Sequence, residues 1–344
     1  MRILSIETSC DETAIALVEG EEKPSVVFNL VSSQIELHKI TQGIVPEVAA
    51  RAQLEAILPM ISEAKKLGAS AQNIDAIAVT YAPGLVGSLI VGVEGAKTLG
   101  ALWQKPVYGI HHLEGHIYAA FAQMKSKEIH FPVLALVVSG GHTELVLMKK
   151  HFHYEIIGST RDDAAGEAFD KIARLIGLGY PGGPAISQAA LKHKETKKSA
   201  QLNLPRPMLT DKSLDFSFSG LKTAVLYKVP EEGLNPAQVH EYAHETERAI
   251  IDVLVGKTRQ ALHKNFVSTL ILAGGVSANK LLRREIKKLR SEFPIEVIIP
   301  PFDYTTDNAA MIGLAAWHRL ALAELPSADF KVMPRLKLSD INKS

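Results

Sequence analysis

Ile3-Leu4-Ser5-Ile6, Glu7-Thr8-Ser9-Cys10-Asp11-Glu12 and Ala14-Ile15-Ala16-Leu17-Val18-Glu19 are in turn an apolar run, a polar turn and a second apolar run. That is the pattern of two strands joined by a hairpin whose tip carries hydroxyls and carboxylates. It returns at residues 134–138 and 145–149, joined by Ser139-Gly140-Gly141-His142-Thr143-Glu144, with residues 154–157 as a third strand. An internal duplication of a strand, polar hairpin, strand unit is the economical account. Between the copies the periodicity predicts a helix over 46–66, a strand at 74–80, a glycine-spaced helix over 85–102 and a strand at 106–110. After the second copy it predicts helices over 165–175 and 239–262, a strand at 270–273, a helix over 279–289, a strand at 296–299 and a last helix over 308–322. Strands grouped first and then alternating with helices, twice over, predict an α/β fold of two similar lobes with a ligand cleft between them. The expected division is an N-terminal lobe at 1–131, a C-terminal lobe at 132–307, and a terminal helix and tail at 308–344 that return to the first lobe. Residues 323–344, with Pro326, Pro334 and mixed charge, read as a surface strap.

The 344 residues are long enough for two cores, and 47% hydrophobic with 22% charged side chains is an ordinary globular composition. Thirty-eight basic against 37 acidic residues give no global field. A polyanionic partner would therefore be met by a local patch or with the help of a second protein. Cys10 is the single cysteine, which excludes an internal disulfide and fits a reducing compartment. The chain runs at once into a strand, without the look of a signal peptide or organelle presequence, and no apolar run approaches the ~20 residues of a membrane helix. A cytoplasmic enzyme without a membrane segment is the expectation.

Directly after the strand at 106–110 come His111-His112-Leu113-Glu114-Gly115-His116. If residues 113–121 are helical, His112 and His116 share a face and can grip one metal ion; a solvated or packed face is the alternative. The run resembles the zinc-peptidase motif but lacks its base, since the position after His112 is Leu113. Glu114 lies about 200° around the helix from His112 at roughly 100° per residue, pointing away from a metal. Near the other end of the chain, Thr305-Thr306-Asp307-Asn308-Ala309-Ala310-Met311 opens the last helix. Asp307 is either that helix's cap or a third ligand. As a ligand it completes a two-histidine, one-carboxylate triad with open positions, which suits non-haem Fe2+ and tolerates Zn2+.

Two apparent nucleotide signatures fail. Gly177-Leu178-Gly179-Tyr180-Pro181-Gly182 follows a helical segment and is interrupted by proline, and in the stretch from Gly92 to Thr98 an alanine separates Gly95 from Lys97. The second reads instead as a helix packed closely through its glycines. Ser139-Gly140-Gly141-His142-Thr143 is a better candidate, because paired glycines bare backbone N–H groups and Ser139 and Thr143 add hydroxyls, though an ordinary tight hairpin explains it as well. Ala273-Gly274-Gly275-Val276-Ser277-Ala278-Asn279 leaves a buried strand and opens a helix, where α/β sheets present glycines and a helix N-terminus to a ligand. Glu167 and Asp170 are either neighbouring carboxylates at i, i+3 or a solvated face. Tyr180-Pro181-Gly182-Gly183-Pro184 is at minimum a rigid turn.

Taken together and in order, Ile6-Glu7-Thr8-Ser9-Cys10-Asp11-Glu12-Thr13, the 111–116 run, Val138-Ser139-Gly140-Gly141-His142-Thr143, residues 162–171, 180–184, 215–223, 273–279 and 306–311 resemble the tRNA N6-adenosine threonylcarbamoyltransferase family, bacterial TsaD branch. The resemblance covers about residues 1–322. It implies duplicated actin-like, sugar-kinase-like (ribonuclease-H-like) lobes. It also implies an acyltransferase that moves a threonylcarbamoyl group from threonylcarbamoyl-adenylate to N6 of the adenosine 3′ of the anticodon, in tRNAs reading codons that begin with A. By the same resemblance His112, His116 and Asp307 hold a metal, described as iron, one Fe2+ per chain, with Zn2+ readily accepted on purification. Val137, Val138, Ser139, Gly140 and Gly141, with Asp170, Gly183 and Asn279, line the adenylate site. Asp11 and Glu12 lie near the reacting carbonyl. The implied partners are tRNA, a TsaB-like paralogue and a TsaE-like ATPase.

The chemistry follows from the residue types. A mixed carbamoyl-phosphate anhydride already has a good leaving group, so orientation and charge stabilisation are the main tasks. The exocyclic amine is a weak nucleophile, and Asp11 or Glu12 is nominated to take its proton, the alternatives being to order the loop or to bind Mg2+ with a nucleotide. An anticodon loop presents an unstacked adenine more cheaply than a duplex. The rival readings are a phosphotransferase or chaperone-like ATPase of the same architecture, in which the histidine and Thr-Asp-Asn segments have no purpose, a metallopeptidase, and a nucleotide-gated scaffold.

Overall fold

The computed structural model describes residues 1–41, 43–195, 201–325 and 329–343. The chain divides into two compact units, one of Met1–His130, His151–Tyr154 and Pro300–Ser344, the other of Phe131–Lys150 and Glu155–Ile299.

In the first unit β1 (Arg2–Glu7), β2 (Glu12–Glu19) and β3 (Ser25–Ser33) run antiparallel, and β4 (Ala76–Ala82) and β5 (Val107–His111) join in parallel on the other side of β1, in the order β3-β2-β1-β4-β5. The second sheet repeats that plan. β6 (Val133–Val138) pairs antiparallel with β7 (Thr143–Met148), β8 (Tyr154–Ser159) lies beyond, and β9 (Thr269–Ala273) and β10 (Glu296–Ile298) add in parallel, giving β10-β9-β6-β7-β8. Read from its first strand outward, each sheet has its second and third strands on one side and its fourth and fifth on the other, as a duplicated α/β unit requires.

The helices of the first unit are α1 (Ile35–Thr41), α2 (Pro46–Lys66), α3 (Val86–Trp103), α4 (His112–Ala119) and α10 (Ala309–Ala321). Those of the second are α5 (Ala165–Leu175), α6 (Gly182–Glu195), α7 (Ser219–Lys228), α8 (Pro236–Lys264) and α9 (Lys280–Lys288). The expected helices at 46–66 and 165–175 coincide with α2 and α5. The sequence reading passed over β3, α1, α6 and α7, and the rigid turn at 180–184 is in fact the entry to α6.

Side-chain size along β1 and β2 decides what covers each face of the first sheet. Leu4, Ile6, Ile15 and Leu17 point one way and pack with Ile57 of α2 and Val93 of α3. Ser5, Ala14 and Ala16 point the other way, and their small size lets α10 sit close. Ser5 Oγ donates to Ala309 O at 2.7 Å, and a Cβ on Gly313 of α10 would meet Val18 Cγ2 at 2.5 Å. Close docking of α10 fixes the loop before it, which contains Asp307.

Two findings depart from the sequence reading. Residues Pro300 to Asp307, expected in the second lobe, fall in the first unit, because the chain leaves β10 over Pro300-Pro301 and turns toward α10. The tail is more than a surface strap, although Pro326 lies outside the described residues. Phe330 is buried in the first core against Tyr81, Lys97 Nζ donates to its carbonyl at 3.0 Å, and Leu338 is buried as well.

Candidate functional site

The end of β5 hands the chain to α4 at His111, whose side chain caps the helix by accepting from Leu113 N at 3.3 Å. All eight residues of α4 are buried. The i, i+4 spacing stacks the His112 and His116 rings edge to face, with centroids 4.6 Å apart. Asp307 lies just outside α10, and the cap of that helix is its neighbour, Asn308 Oδ1, which accepts from Met311 N at 3.0 Å. Capping is thus done by Asn308. Asp307 Oδ1 instead lies 3.5 Å from His112 Nε2 and 3.2 Å from His116 Nε2.

The three residues offer ligand atoms all within 4.8 Å of one another. Two ligands each about 2.1 Å from a common metal lie roughly 3–3.5 Å apart in tetrahedral or octahedral geometry, and both carboxylate–imidazole distances match. A second observation points the same way. His116 is wholly buried, and its Nε2, the nitrogen turned toward Asp307, makes no hydrogen bond among the described residues, an unusual state for a buried polar atom. The donor set fits a divalent transition metal.

Charge is concentrated here. Burial works against a protonated imidazole, yet the Asp307 and Glu7 carboxylates overcome it and raise His112 to about 9. His116 is lowered, chiefly by burial, with Asp307 offsetting part of the effect. At the first hairpin tip Asp11 is buried, and Glu12, which begins β2, is raised to about 10, first by burial and then by Asp307 and Asp11. The Cys10 thiol is pushed up by burial and by Asp11. Asp11, Glu12 and Asp307 therefore share one electrostatic neighbourhood within the first unit.

Residues that the sequence reading passed over hold this arrangement. Gln53 of α2, fully buried, donates to Cys10 O at 2.9 Å, Glu12 O at 3.2 Å and Thr8 O at 3.3 Å, stitching the hairpin backbone. Gly92 belongs to a tightly packed helix, as expected: a Cβ there would meet Thr8 Oγ1 at 2.2 Å. Glu7 and Ser9 contact His112 Nδ1 at 3.2 and 3.0 Å. Glu114, which faces away from the histidine pair, forms a bidentate ion pair with Arg319 of α10 at 2.5 and 2.7 Å. No local pattern marks these contacts, since each joins residues far apart in the chain.

In the second unit the residues assigned to an adenylate are linked in a ring. Gly166 of α5 donates its N–H to Ser139 O at 3.2 Å, Asp170 accepts from Gly182 N at the start of α6 at 2.7 Å, and Asn279 donates to Ser187 Oγ of α6 at 2.9 Å. Gly274, at φ +86°, closes it, because a Cβ there would lie 2.4 Å from Val138 O. Val137 and Val138 are the buried end of β6. Around Gly140, Gly141, Gly183 and Gly275 a Cβ would meet nothing within 4 Å, so their backbone is open to a ligand. Thr143 Oγ1 accepts from Ala165 N at 2.9 Å and Ser139 Oγ from His142 N at 3.1 Å, so both brace the loop. Of the two carboxylates at i, i+3, Glu167 pairs with Lys171 at 2.8 Å while Asp170 holds the start of α6.

Among solved structures, the chain resembles HypF from T. kodakarensis with a TM-score of 0.59 at 14% identity, covering 95% of this chain and 48% of that one, about half its length. It resembles the activator of the 2-hydroxyisocaproyl-CoA dehydratase from Clostridium difficile, solved with bound ADPNP, with a TM-score of 0.52 at 11% identity, covering 96% and 100%. These likenesses show the two-lobed actin-like kinase fold. The chain is 46% identical over 342 residues to the tRNA N6-adenosine threonylcarbamoyltransferase of Halalkalibacterium halodurans, covering 98% of this chain and 96% of that one. It is 42% identical over 339 residues to the enzyme of the same name from Thermosipho africanus, covering 98% and 100%. The family model described as TsaD, tRNA N6-adenosine threonylcarbamoyltransferase, matches residues 25–314. The chain belongs to the tRNA N6-adenosine threonylcarbamoyltransferase family, whose members are acyltransferases.

Proposed function

We propose that this protein transfers the threonylcarbamoyl group of threonylcarbamoyl-adenylate to N6 of the adenosine 3′ of the anticodon in tRNAs reading codons that begin with A. The observation that carries the reading is the convergence of His112, His116 and Asp307, with both imidazole Nε2 atoms within 3.5 Å of one carboxylate oxygen. In this reading they hold Fe2+, or Zn2+ in purified protein. When bound, such a metal supplies a Lewis acid with open positions that polarises the carbamoyl carbonyl.

The chain's own residues do the rest. Val137, Val138, Ser139, Gly140 and Gly141, with Asp170, Gly183 and Asn279, bind the adenylate, the bare glycine N–H groups meeting its phosphate. Orientation of an already activated acyl donor supplies most of the rate. Of the two carboxyls nominated at the hairpin, Asp11 is the candidate to accept the proton released as the amine attacks, since Glu12, raised to about 10, is already protonated at neutral pH.

A TsaB-like paralogue and a TsaE-like ATPase assist in a cytoplasmic setting. Exposed Leu54 and Leu58 on α2, with Val86 and Ile90 on α3, offer a protein partner an apolar surface. No helix among the described residues is long and apolar enough to cross a membrane.

His112→Ala with His116→Ala is expected to abolish metal content and transfer while the far-UV circular dichroism stays that of the wild type. Mass spectrometry of tRNA nucleosides from cells lacking the gene should show loss of threonylcarbamoyladenosine. Wild-type turnover by the double variant, or an unchanged nucleoside profile, defeats the reading.

A further inference from the structure

We infer that Glu7 is a positioning residue that selects which nitrogen of His112 faces the metal and ties that choice to the hairpin bearing Asp11 and Glu12. The inference rests on the proposed metal centre and adds to it a residue that touches neither metal nor substrate.

Glu7 ends β1 and is almost wholly buried, a position where a carboxylate needs full satisfaction. Three groups converge on it. Ser9 N–H donates to Oε1 at 2.5 Å, Thr80 Oγ1 donates to Oε2 at 2.5 Å, and His112 Nδ1 lies 3.2 Å from Oε2. The backbone N–H can only donate, so Oε1 accepts there, and Oε2, which takes the Thr80 hydroxyl, is an acceptor as well. His112 Nδ1 must therefore carry a proton, shared between Glu7 and the Ser9 hydroxyl at 3.0 Å. With Nδ1 so committed, Nε2 is the nitrogen left to coordinate, and it is the one turned toward Asp307. Carboxylate–histidine–metal relays of this kind fix ring orientation and raise ligand basicity.

The two oxygens of Glu7 serve different elements. One holds the backbone at Ser9, two residues before Asp11, and the other holds the ring of His112. A shift of the hairpin is thus a shift of the metal ligand.

Glu7→Gln is the discriminating substitution. The amide is nearly isosteric but offers one acceptor oxygen where three donors converge, and its NH2 must confront one of them. In the full-length chain stripped of metal, Zn2+ affinity measured by competition with a chromophoric chelator should fall about 10- to 100-fold. The visible ligand-field bands of the Co2+-loaded variant should move as well, a change that general loosening of the fold does not produce. The His112→Ala, His116→Ala double variant sets the level for no site. Wild type binding no better than that level refutes the metal centre itself. Wild type binding tightly while folded Glu7→Gln binds equally, with unshifted Co2+ bands, overturns the role of Glu7 alone. Should Glu7→Gln not fold, 15N-histidine spectra of the Zn2+-loaded wild type decide, with His112 assigned by its loss in His112→Gln. The inference requires a protonated Nδ1 and a metal-bound Nε2, and the reverse tautomer overturns it.

Discussion

Arg319→Met tests how α4, the helix carrying two of the three candidate metal ligands, is held to α10. Arg319 and Glu114 meet through two hydrogen bonds of 2.5 and 2.7 Å, with side chains 8% and 1% exposed. The guanidinium also lies 4.3 Å from the Phe152 ring centre. Methionine keeps most of the arginine's volume but leaves the Glu114 carboxylate buried without a counter-charge. Removing one partner of such a pair costs about 3–5 kcal/mol, most of it the desolvation of the charge left behind. Both tryptophans, Trp103 and Trp317, lie in the first unit, so their fluorescence follows the unfolding of that unit. With a urea slope of about 2 kcal/mol per molar, the midpoint should drop by roughly 2 M. Replacing both residues by methionine should recover most of the loss, because apolar substitutes for a buried pair are often neutral. A loss below about 1 kcal/mol in the single variant, or a double variant as unstable as the single, refutes the argument that the stranded charge sets the cost.

Two further predictions concern stability. His318, fully buried with Ser126 Oγ 2.8 Å from its Nδ1, is lowered to about 3, first by burial and then by His151. The unfolded side chain near 6.5 takes up a proton that the folded one refuses. Stability is therefore full above that value and falls as pH drops through it, by about 2 kcal/mol at pH 5. The tryptophan-monitored urea midpoint of His318→Gln should show that much less loss between pH 8 and pH 5 than wild type, and parallel curves count against it. Gly274→Ala forces a side chain onto a backbone at φ +86° and to within 2.4 Å of Val138 O. It should destabilise the second unit by at least about 2 kcal/mol, read as lost hydrogen-exchange protection in β6 and β9, while Gly275→Ala, facing open space, changes little.

The parts legible in the sequence were those with local causes. α2 and α5 announce themselves by apolar periodicity, the two hairpins by alternating apolar and polar runs, and the histidine pair by helical spacing. β3 was missed because it is an edge strand, only half buried and flanked by serines. α6 was missed because it opens on Gly182-Gly183-Pro184, residues that punctuate as readily as they start a helix. α7 has no cap of its own. Asp162, distant in sequence, accepts from Phe218 N at 2.8 Å and Ser219 N at 3.1 Å in its place. The same reason hides Glu7, Gln53 and Arg319, whose partners come together only when the chain folds. Asp307 could be read only as one of two alternatives, until the cap was found on Asn308.

The first unit is discontinuous along the chain, and this orders its assembly during synthesis. A ribosome that has released residues as far as Ile299 has already delivered His112 and His116, but neither Asp307 nor the helix that covers Ser5, Ala14 and Ala16. The nascent first unit must wait, one face of its sheet bare, while the whole segment from Glu155 to Ile299 emerges. Products cut short before Pro300 carry the two imidazoles without the Asp307 carboxylate. His112, His116 and Asp307 can therefore stand together only in a chain translated beyond residue 307.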